Sequence, residues 1–168
     1  MKRWDVGAAG AVVHQGRVLF VRRTYGEGRG RWSIPGGYAD HDERLDETAT
    51  REVSEETGLE CEVVDLVGVR TRYNQQGGAV YVIFRMRPVR GEPAPDGVEV
   101  DRAAYFTGEE IAAMEEHEIS ALSRNAALAA LHDGSGLTVV DCPPWSGQAY
   151  RAFMLRGADG AGRSEEAS

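Results

Sequence analysis

Short apolar runs separated by glycine-rich and polar turns fill the first half of the chain, a pattern typical of β-strands. Residues 8–13 and 17–22 are two such runs, and the turn at Gln15-Gly16 between them predicts a hairpin. Further apolar runs at residues 62–70 and 80–87 are joined by a polar loop and predict two more strands. A last strand is predicted at residues 100–106, after a looser segment rich in proline and glycine.

Three other segments predict helices. The first begins within residues 42–45 and ends at Gly58, because a glycine followed by Leu59 suits a left-handed C-cap with an apolar contact. The second covers residues 108–117 and the third residues 120–132. Strands interspersed with helices predict an α/β layered domain built on a mixed sheet.

From Gly134 onward the sequence pattern that predicts strands and helices becomes weak. We predict one domain over residues 1–133 and a C-terminal extension over residues 134–168, partly ordered and then a flexible tail. Ahead of the first helix, the run Pro35-Gly36-Gly37 is expected to exclude regular structure and to let the backbone approach a ligand closely.

The first predicted helix carries carboxylates on its apolar side. At roughly 100° per residue, the side chains of Leu45, Ala49 and Val53 centre on one direction. Glu56 lies about 20° and Glu52 about 60° from that direction, so both are predicted to point into the protein. As like charges four residues apart they also repel each other, by ~0.2–0.5 kcal/mol even on an exposed helix. A break of local rules of this kind is typical of a functional site.

The alternative interpretation is a solvated helix face, which is what most glutamate runs are. Arg51 lies four residues after Glu47 and four before Glu55, and it can relieve part of the repulsion there. On the helical wheel it does not stand over Glu52 or Glu56. We therefore favour a site for cations over a solvated face.

The chemistry of the ligands narrows the choice of metal. Hard carboxylate oxygens without histidine or thiolate suit Mg²⁺ or Mn²⁺ and disfavour zinc. Mg²⁺ in such sites is completed by substrate phosphates, which indicates cleavage or transfer at a diphosphate. Metal ions there would neutralise phosphate oxygens and activate a water that attacks phosphorus, and a glutamate would take the proton of that water.

This region also matches a family signature, GX5EX7REUXEEXGU, in which U is aliphatic. Its fixed positions are filled by Gly37, Glu43, Arg51, Glu52, Val53, Glu55, Glu56, Gly58 and Leu59. The chain thus resembles the Nudix hydrolases, MutT-like proteins, with a complete box over residues 37–59. The resemblance implies the Nudix fold, a mixed β-sheet sandwiched between helices (α/β/α). It also implies hydrolysis of a nucleoside diphosphate linked to another moiety X.

The resemblance further implies roles for single residues. Three glutamates of the box would be the catalytic metal ligands: Glu52, Glu55 and Glu56. Glu52 would also act as the base. The carbonyl of Gly37 would be another ligand, with Glu43 and Arg51 as an orienting pair behind the ligands.

Three further positions extend this comparison. Glu99, ahead of Tyr105-Phe106, best matches the glutamate that many members supply from a later loop. Asp40 either reaches a metal through water or caps the helix entry. Arg44 stands where a small capping residue is common, which leaves the start of the helix open.

Substrate specificity lies outside the box, and the sequence leaves the X group open among nucleoside triphosphates, oxidised nucleotides, ADP-ribose and nucleotide sugars. Alternation along the strand places Arg70 and Arg72 on one face, away from Val69. Each arginine could equally be a surface residue that answers the acidic net charge. The candidate substrate-binding residues are Arg23, Arg31, Arg70, Arg72 and Tyr73.

Composition excludes several classes of partner. The formal net charge of −8 disfavours a nucleic-acid polymer, and no apolar run approaches the ~18 residues of a membrane span. Cys61 and Cys142 have no metal-site spacing and indicate reduced thiols in the cytoplasm. A homodimer stays open.

Two other functions share the expected fold. One is a nucleotide-sensing module that binds without cleaving, although binding alone requires no base. The other is an isoprenoid diphosphate isomerase, which would need an acid or cysteine at the alkene, and neither cysteine is placed to suggest one. A metal-dependent pyrophosphohydrolase is the preferred prediction.

Overall fold

The computed structural model describes residues 3–74, 77–132, 134, 136–140 and 152–154. The strands and helices follow in this order: β1 Arg3–His14, β2 Arg17–Arg23, β3 Trp32–Ser33, β4 Gly36–Tyr38, α1 Leu45–Thr57, β5 Glu60–Asn74, β6 Gly77–Arg90, β7 Val100–Thr107, α2 Gly108–Ala113, α3 Ala121–Leu131, β8 Thr138–Val140 and β9 Ala152–Met154. The alternation of strands and helices that the sequence predicted is confirmed.

Strand β1 lies at the centre of the main sheet, whose order is β3-β2-β1-β6-β5. It pairs in parallel with β6, from Arg3 opposite Gly77 to Val12 opposite Met86. All other pairs are antiparallel: β1 with β2 and β4, β2 with β3 and β7, and β5 with β6. The main sheet is therefore mixed, as expected.

The two faces of the sheet bury two separate apolar clusters. On one face Ala8, Val12 and Val82 pack with Ala49 and Val53 of α1. The other cluster joins the sheet to α2 and α3, and its members are Ala9, Ala11, Val18, Phe20, Ile34, Ile83, Ile111, Ile119, Ala126, Ala127 and Ala130. Because period-two alternation sends neighbouring residues to opposite faces, β1, β2, β5, β6 and β7 contribute side chains to both clusters. The result is the α/β/α sandwich.

Helix α1 begins and ends within the predicted limits. Gly58 adopts φ 70° and donates its N–H to the carbonyl of Ser54, which is the left-handed cap expected there. At the other end Arg44 occupies the cap position without a short hydroxyl side chain. Glu47 compensates, because its carboxylate accepts the backbone N–H of Arg44 at 2.9 Å.

The prediction that Pro35-Gly36-Gly37 excludes regular structure is wrong, because Gly36–Tyr38 forms β4. A Cβ atom at Gly36 would lie 2.5 Å from the carbonyl oxygen of Ala8. The glycines thus allow a close antiparallel pairing with β1, and that long-range pairing overrides the local preference of the sequence for a loop.

Helix α2 is shorter than predicted and ends at Ala113 rather than at residue 117. Beyond it the chain folds into a turn, in which the Glu118 carboxylate accepts the backbone N–H of Glu115 at 2.8 Å. Acidic residues oppose the negative end of a helix dipole, which favours termination there. Helix α3 matches the prediction, with Ser120 as its N-cap.

The C-terminal extension is described only in part. Leu137 pairs with Leu66 of β5, and β8 pairs with β9. The boundary at residues 133 and 134 stays a prediction, and Cys142 and the predicted tail lie outside the described residues. Across the described part of the chain, no helix has the length and apolar character needed to cross a membrane.

We predict that Gly10→Ala lowers the free energy of unfolding by ~1–3 kcal/mol, because overpacking at the contact between β1 and α1 is costly. The new Cβ would lie 2.4 Å from the sulfur of Met86 and 2.7 Å from Cγ2 of Val53. Gly68→Ala is the matched control in β5, since a Cβ there would meet no described atom within 4 Å. Urea denaturation of both variants is the measurement, and equal losses would contradict the packing argument.

Candidate active site

The backbone of β4 passes directly against the carboxylate of Glu52 on α1. A Cβ atom at Gly37 would lie 2.4 Å from Glu52 Oε1, so a side chain there would push the carboxylate out of its place. Gly7 is more strictly constrained, because a Cβ there would lie 2.5 Å from a backbone atom, the carbonyl oxygen of Gly37. Glycine at both positions therefore brings the Gly37 main chain and the Glu52 carboxylate together.

Arg51 connects the box loop to the carboxylates of α1. Its guanidinium binds both carboxylate oxygens of Glu43, at 2.6 and 3.0 Å, and donates to the carbonyl of Tyr38. It also donates to Glu52 at 2.8 Å and to Glu55 at 3.1 Å. The expectation that Arg51 does not stand over Glu52 is wrong, because the long side chain reaches a neighbour that the wheel places elsewhere. Among the described residues, no hydrogen bond or ion pair joins Arg51 to Glu56.

Glu43 is the most strongly stabilised carboxylate of the site. It accepts hydrogen bonds from Arg51, from the Thr48 hydroxyl and from the backbone N–H of Asp40. The bonds from Arg51 are the main cause that lowers the pKa of Glu43 to about 2. Asp40 lines the adjoining cavity. It does not cap the helix, because the cap position belongs to Arg44.

Glu56 is the most deeply buried carboxylate of the box, at 2% exposure. Arg23 donates to its Oε1 at 2.6 Å and is itself held by the carbonyl of Gly36 and the hydroxyl of Ser33. Burial raises the pKa of Glu56 to about 7, against the opposing charge of Arg23. Burial also raises the pKa of Glu52, and Arg51 opposes that shift. Both inward carboxylates of the helical wheel are thus where the sequence placed them.

Glu99 reaches the same region from the segment between β6 and β7. The hydroxyl of Tyr25 donates to the Glu99 carboxylate at 2.9 Å, and the backbone N–H of Thr24 donates to the Glu99 carbonyl at 3.0 Å. The structure thus brings a residue some forty positions beyond the box to its carboxylates. Sequence reasoning missed Asp96, which lines the same cavity, although the turn Pro95-Asp96-Gly97 was a signal for it.

Two adjoining cavities meet at β4. The smaller, about 340 Å³, is the carboxylate cavity, and its acidic lining residues are Asp40, Glu52, Glu55, Glu56, Asp96 and Glu99. The larger, about 530 Å³, is the open cleft on the α3 side of the sheet. Arg23, Tyr25 and the Gly36–Tyr38 strand line both. A ligand can therefore extend from the cleft to the carboxylates without leaving the protein surface.

The open cleft is lined by cationic and aromatic side chains. The guanidinium carbon of Arg70 lies 5.4 Å from the centre of the Tyr81 ring, and both side chains line the cleft. Arg31 lines it too. Arg72 and Tyr73 lie further out on the same hairpin and line neither cavity. The substrate-binding role of these five candidates stays a prediction, and the geometry favours Arg70 over Arg72.

The donors of the carboxylate cavity fit a hard divalent cation in their chemistry. They are carboxylate oxygens, Gly37 lines the same cavity, and the buried Oε2 of Glu56 has no hydrogen-bond partner among the described residues. A buried oxygen of this kind is costly unless a cation or donor reaches it. Within the described chain, no three acidic, histidine or cysteine side chains stand ready to enclose an ion. Arg23 and Arg51 each hold one oxygen of Glu56 and Glu52 instead.

A model of the NUDIX domain family matches residues 2–126. The chain belongs to this family. Its NUDIX relatives include a MutT-like protein of Streptomyces ambofaciens, 41% identical over 88 residues, which are 52% of this chain and 54% of that protein. Nucleoside diphosphate-linked moiety X motif 6 of Xenopus laevis is 38% identical over 91 residues, 51% of this chain and 42% of that protein. The chain thus spans about half the length of these curated relatives.

Solved structures support the NUDIX fold. The MutT NUDIX hydrolase of Burkholderia pseudomallei superposes with a TM-score of 0.65 at 23% identity, over 74% of this chain and 96% of that one. A NUDIX hydrolase of Nitrosomonas europaea gives a TM-score of 0.67 at 21% identity, over 76% and 88%. The fold expected from the box is confirmed.

We predict that Glu43→Gln lowers the free energy of unfolding by ~1–3 kcal/mol near neutral pH, because it removes charge-assisted hydrogen bonds to Arg51. A folded pKa of about 2 against an ordinary 4.5 means that this stabilisation is full above pH 4.5. It is lost as pH falls toward 2, so the gap between parent and variant should narrow in that window. Denaturation at several pH values measures it. Glu60→Gln, at an exposed pair with Arg90, should change stability little.

Proposed function

We propose that this chain is a Mg²⁺- or Mn²⁺-dependent pyrophosphohydrolase that cleaves a nucleoside diphosphate linked to another moiety. The observation that carries the proposal is the carboxylate cavity itself. Glu52, Glu56 and Glu99 share it beside the Gly37 backbone, with one Glu56 oxygen buried and unpartnered among the described residues. Such an arrangement costs stability, and a cation bound there would offset that cost.

The residues that would hold the metal are Glu52, Glu55, Glu56, Glu99 and the carbonyl of Gly37. When bound there, the ion supplies positive charge to the phosphate oxygens and acidifies the attacking water. Glu43 keeps Arg51 in place, and Arg51 orients the carboxylates from behind. We assign no further chemistry to these two residues.

Glu52 is the more accessible of the two inward glutamates as a base, because 13% of its side chain is exposed against 2% for Glu56. Its Oε1 accepts from Arg51, which leaves Oε2 to take a proton from the water. The packing of Gly37 against this carboxylate restricts its motion, which favours one orientation for proton transfer.

The open cleft would take the nucleoside or the X group. Arg70 on the Tyr81 ring offers a cation with a fixed plane, and Arg23 stands where the cleft meets the carboxylates. The relatives carry names with different substrates, among them ADP-ribose pyrophosphatase of Methanocaldococcus jannaschii, 28% identical over 60% of each chain. The choice of X among nucleoside triphosphate, oxidised nucleotide, ADP-ribose and nucleotide sugar therefore needs a substrate panel.

We predict that Glu52→Gln lowers kcat by roughly 10²–10⁴-fold, because it removes the general base while keeping the shape of the side chain. Phosphate release is measured with added pyrophosphatase on nucleoside triphosphates and oxidised nucleotides. Alkaline phosphatase replaces it for ADP-ribose, dinucleoside polyphosphates and nucleotide sugars, because hydrolysis of these gives phosphate esters rather than pyrophosphate. Each assay is run with Mg²⁺, with Mn²⁺ and with chelator, and activity should vanish with chelator.

Glu47→Gln is the matched control on the same helix, because glutamine also accepts the N–H of Arg44 at the cap. It should hydrolyse like the parent. A Glu52→Gln variant as fast as the parent would refute the role of the base. Tight nucleotide binding by the parent without turnover of any substrate would instead favour the nucleotide-sensing module.

We predict that Arg70→Ala raises KM about 10-fold with kcat nearly unchanged, since a contact distant from the scissile bond contributes to ground and transition states alike. Steady-state kinetics on the best substrate of the panel is the measurement. Arg87→Ala is the control, because Arg87 is an exposed arginine of the same hairpin that pairs with Glu62. A drop in kcat at constant KM would place Arg70 near the reacting phosphate instead.

A further inference from the structure

The segment that carries Glu99 is fastened to the end of β2 through its backbone. The Thr24 hydroxyl donates to the carbonyl of Val98 at 2.6 Å, and the Thr24 N–H donates to the carbonyl of Glu99 at 3.0 Å. Tyr25, the next residue, donates its hydroxyl to the Glu99 carboxylate at 2.9 Å. Thr24 and Tyr25, which follow β2, therefore hold the backbone and the side chain of Glu99, respectively.

Asp96 organises the same segment from within. Its Oδ1 accepts three consecutive backbone N–H groups, from Val98 at 2.9 Å, from Glu99 at 3.0 Å and from Val100 at 3.0 Å. Gly97 allows this turn, because it adopts φ 75°. Bonds to a charged acceptor are stronger than neutral ones. One carboxylate oxygen thus fixes the backbone at Glu99 and on either side of it.

We propose that Asp96 is a positioning residue that directs the Glu99 carboxylate into the carboxylate cavity, with Tyr25 holding the far end of that side chain. The inference rests on the proposed function, because the direction of Glu99 matters to activity only if Glu99 serves the hydrolysis. Asp96 acts through three amides and takes no part in the chemistry itself.

The surroundings of Asp96 distinguish this role from ordinary stabilisation of a core. Residues 94–99 are all exposed, and of the three amides only that of Val100 belongs to a buried residue. What they order is one wall of the carboxylate cavity, which Asp96 and Glu99 line together. If Asp96 served only folding, its replacement would lower stability whether or not the Glu99 carboxylate is present. If Asp96 positions Glu99, its replacement lowers activity only when that carboxylate is present.

Four variants test the proposal: Asp96→Ala, Asp96→Asn, Glu99→Gln and the double variant Asp96→Ala/Glu99→Gln. Two readouts are used, binding of Mn²⁺ alone followed by electron paramagnetic resonance, and turnover of the best substrate of the panel. We expect Asp96→Ala to lower Mn²⁺ affinity or kcat by about 10–100-fold with little change in KM, as loss of an orienting group does. Asp96→Asn should stay within about threefold of the parent, because its carbonyl accepts the same amides at reduced strength.

The decisive comparison is the double variant, which should equal Glu99→Gln alone, because two residues that act through one group are not additive. Losses that multiply would overturn the proposal, and so would an Asp96→Asn variant as impaired as Asp96→Ala, since the charge of Asp96 would then act directly. A Glu99→Gln variant that binds Mn²⁺ and turns over substrate like the parent would overturn it as well.

Glu92→Ala is the matched control, since it removes an exposed carboxylate from the same segment without touching these amides. It should behave as the parent does in both readouts. Absence of turnover on the whole panel would count against the proposed function, while the Mn²⁺ affinities of the four variants would still decide the role of Asp96.

Discussion

The buried carboxylate of Glu56 is the constraint on which the rest of the site depends. A charged group at 2% exposure is stable only beside an opposite charge, and Arg23 of β2 supplies it at 2.6 Å. Arg23 is in turn fixed by the backbone of β4 and by Ser33. Through this one arginine, α1 is connected to three strands of the sheet: β2, β3 and β4.

Arg51 pairs with carboxylates on the exposed side of α1, as Arg23 pairs with Glu56 on the buried side. It joins Glu43 of the preceding loop to Glu52 and Glu55 of the helix. Between the two arginines, the carboxylates are held close to one another although their charges repel. The glycines of β1 and β4 complete this arrangement, since any side chain at position 37 would occupy the place of the Glu52 carboxylate.

The sequence predicted those features of the site that have a local cause. Helical period alone placed Glu52 and Glu56 inward, and the Gly58 cap set the end of α1. The failures have non-local or flexible causes. Strand β4 forms because β1 accepts it at close range, and a long arginine side chain is not confined to its position on a wheel. Asp96 was missed because its hydrogen bonds gain meaning only beside a cavity built by distant elements.

The substrate could not be predicted from the sequence, for a related physical reason. The cleft is lined by Arg23 of β2, Tyr25 of the following loop, Arg70 of β5 and Tyr81 of β6. Their spacing in the sequence does not predict that these four side chains lie together. Arg23 stands in the walls of both cavities, and its guanidinium is bound to Glu56. An anionic group that enters from the cleft must therefore compete with Glu56 for Arg23, whereas a cation beside Glu56 relieves that competition. Binding of cation and of anionic substrate should accordingly favour each other, because both act on the same ion pair.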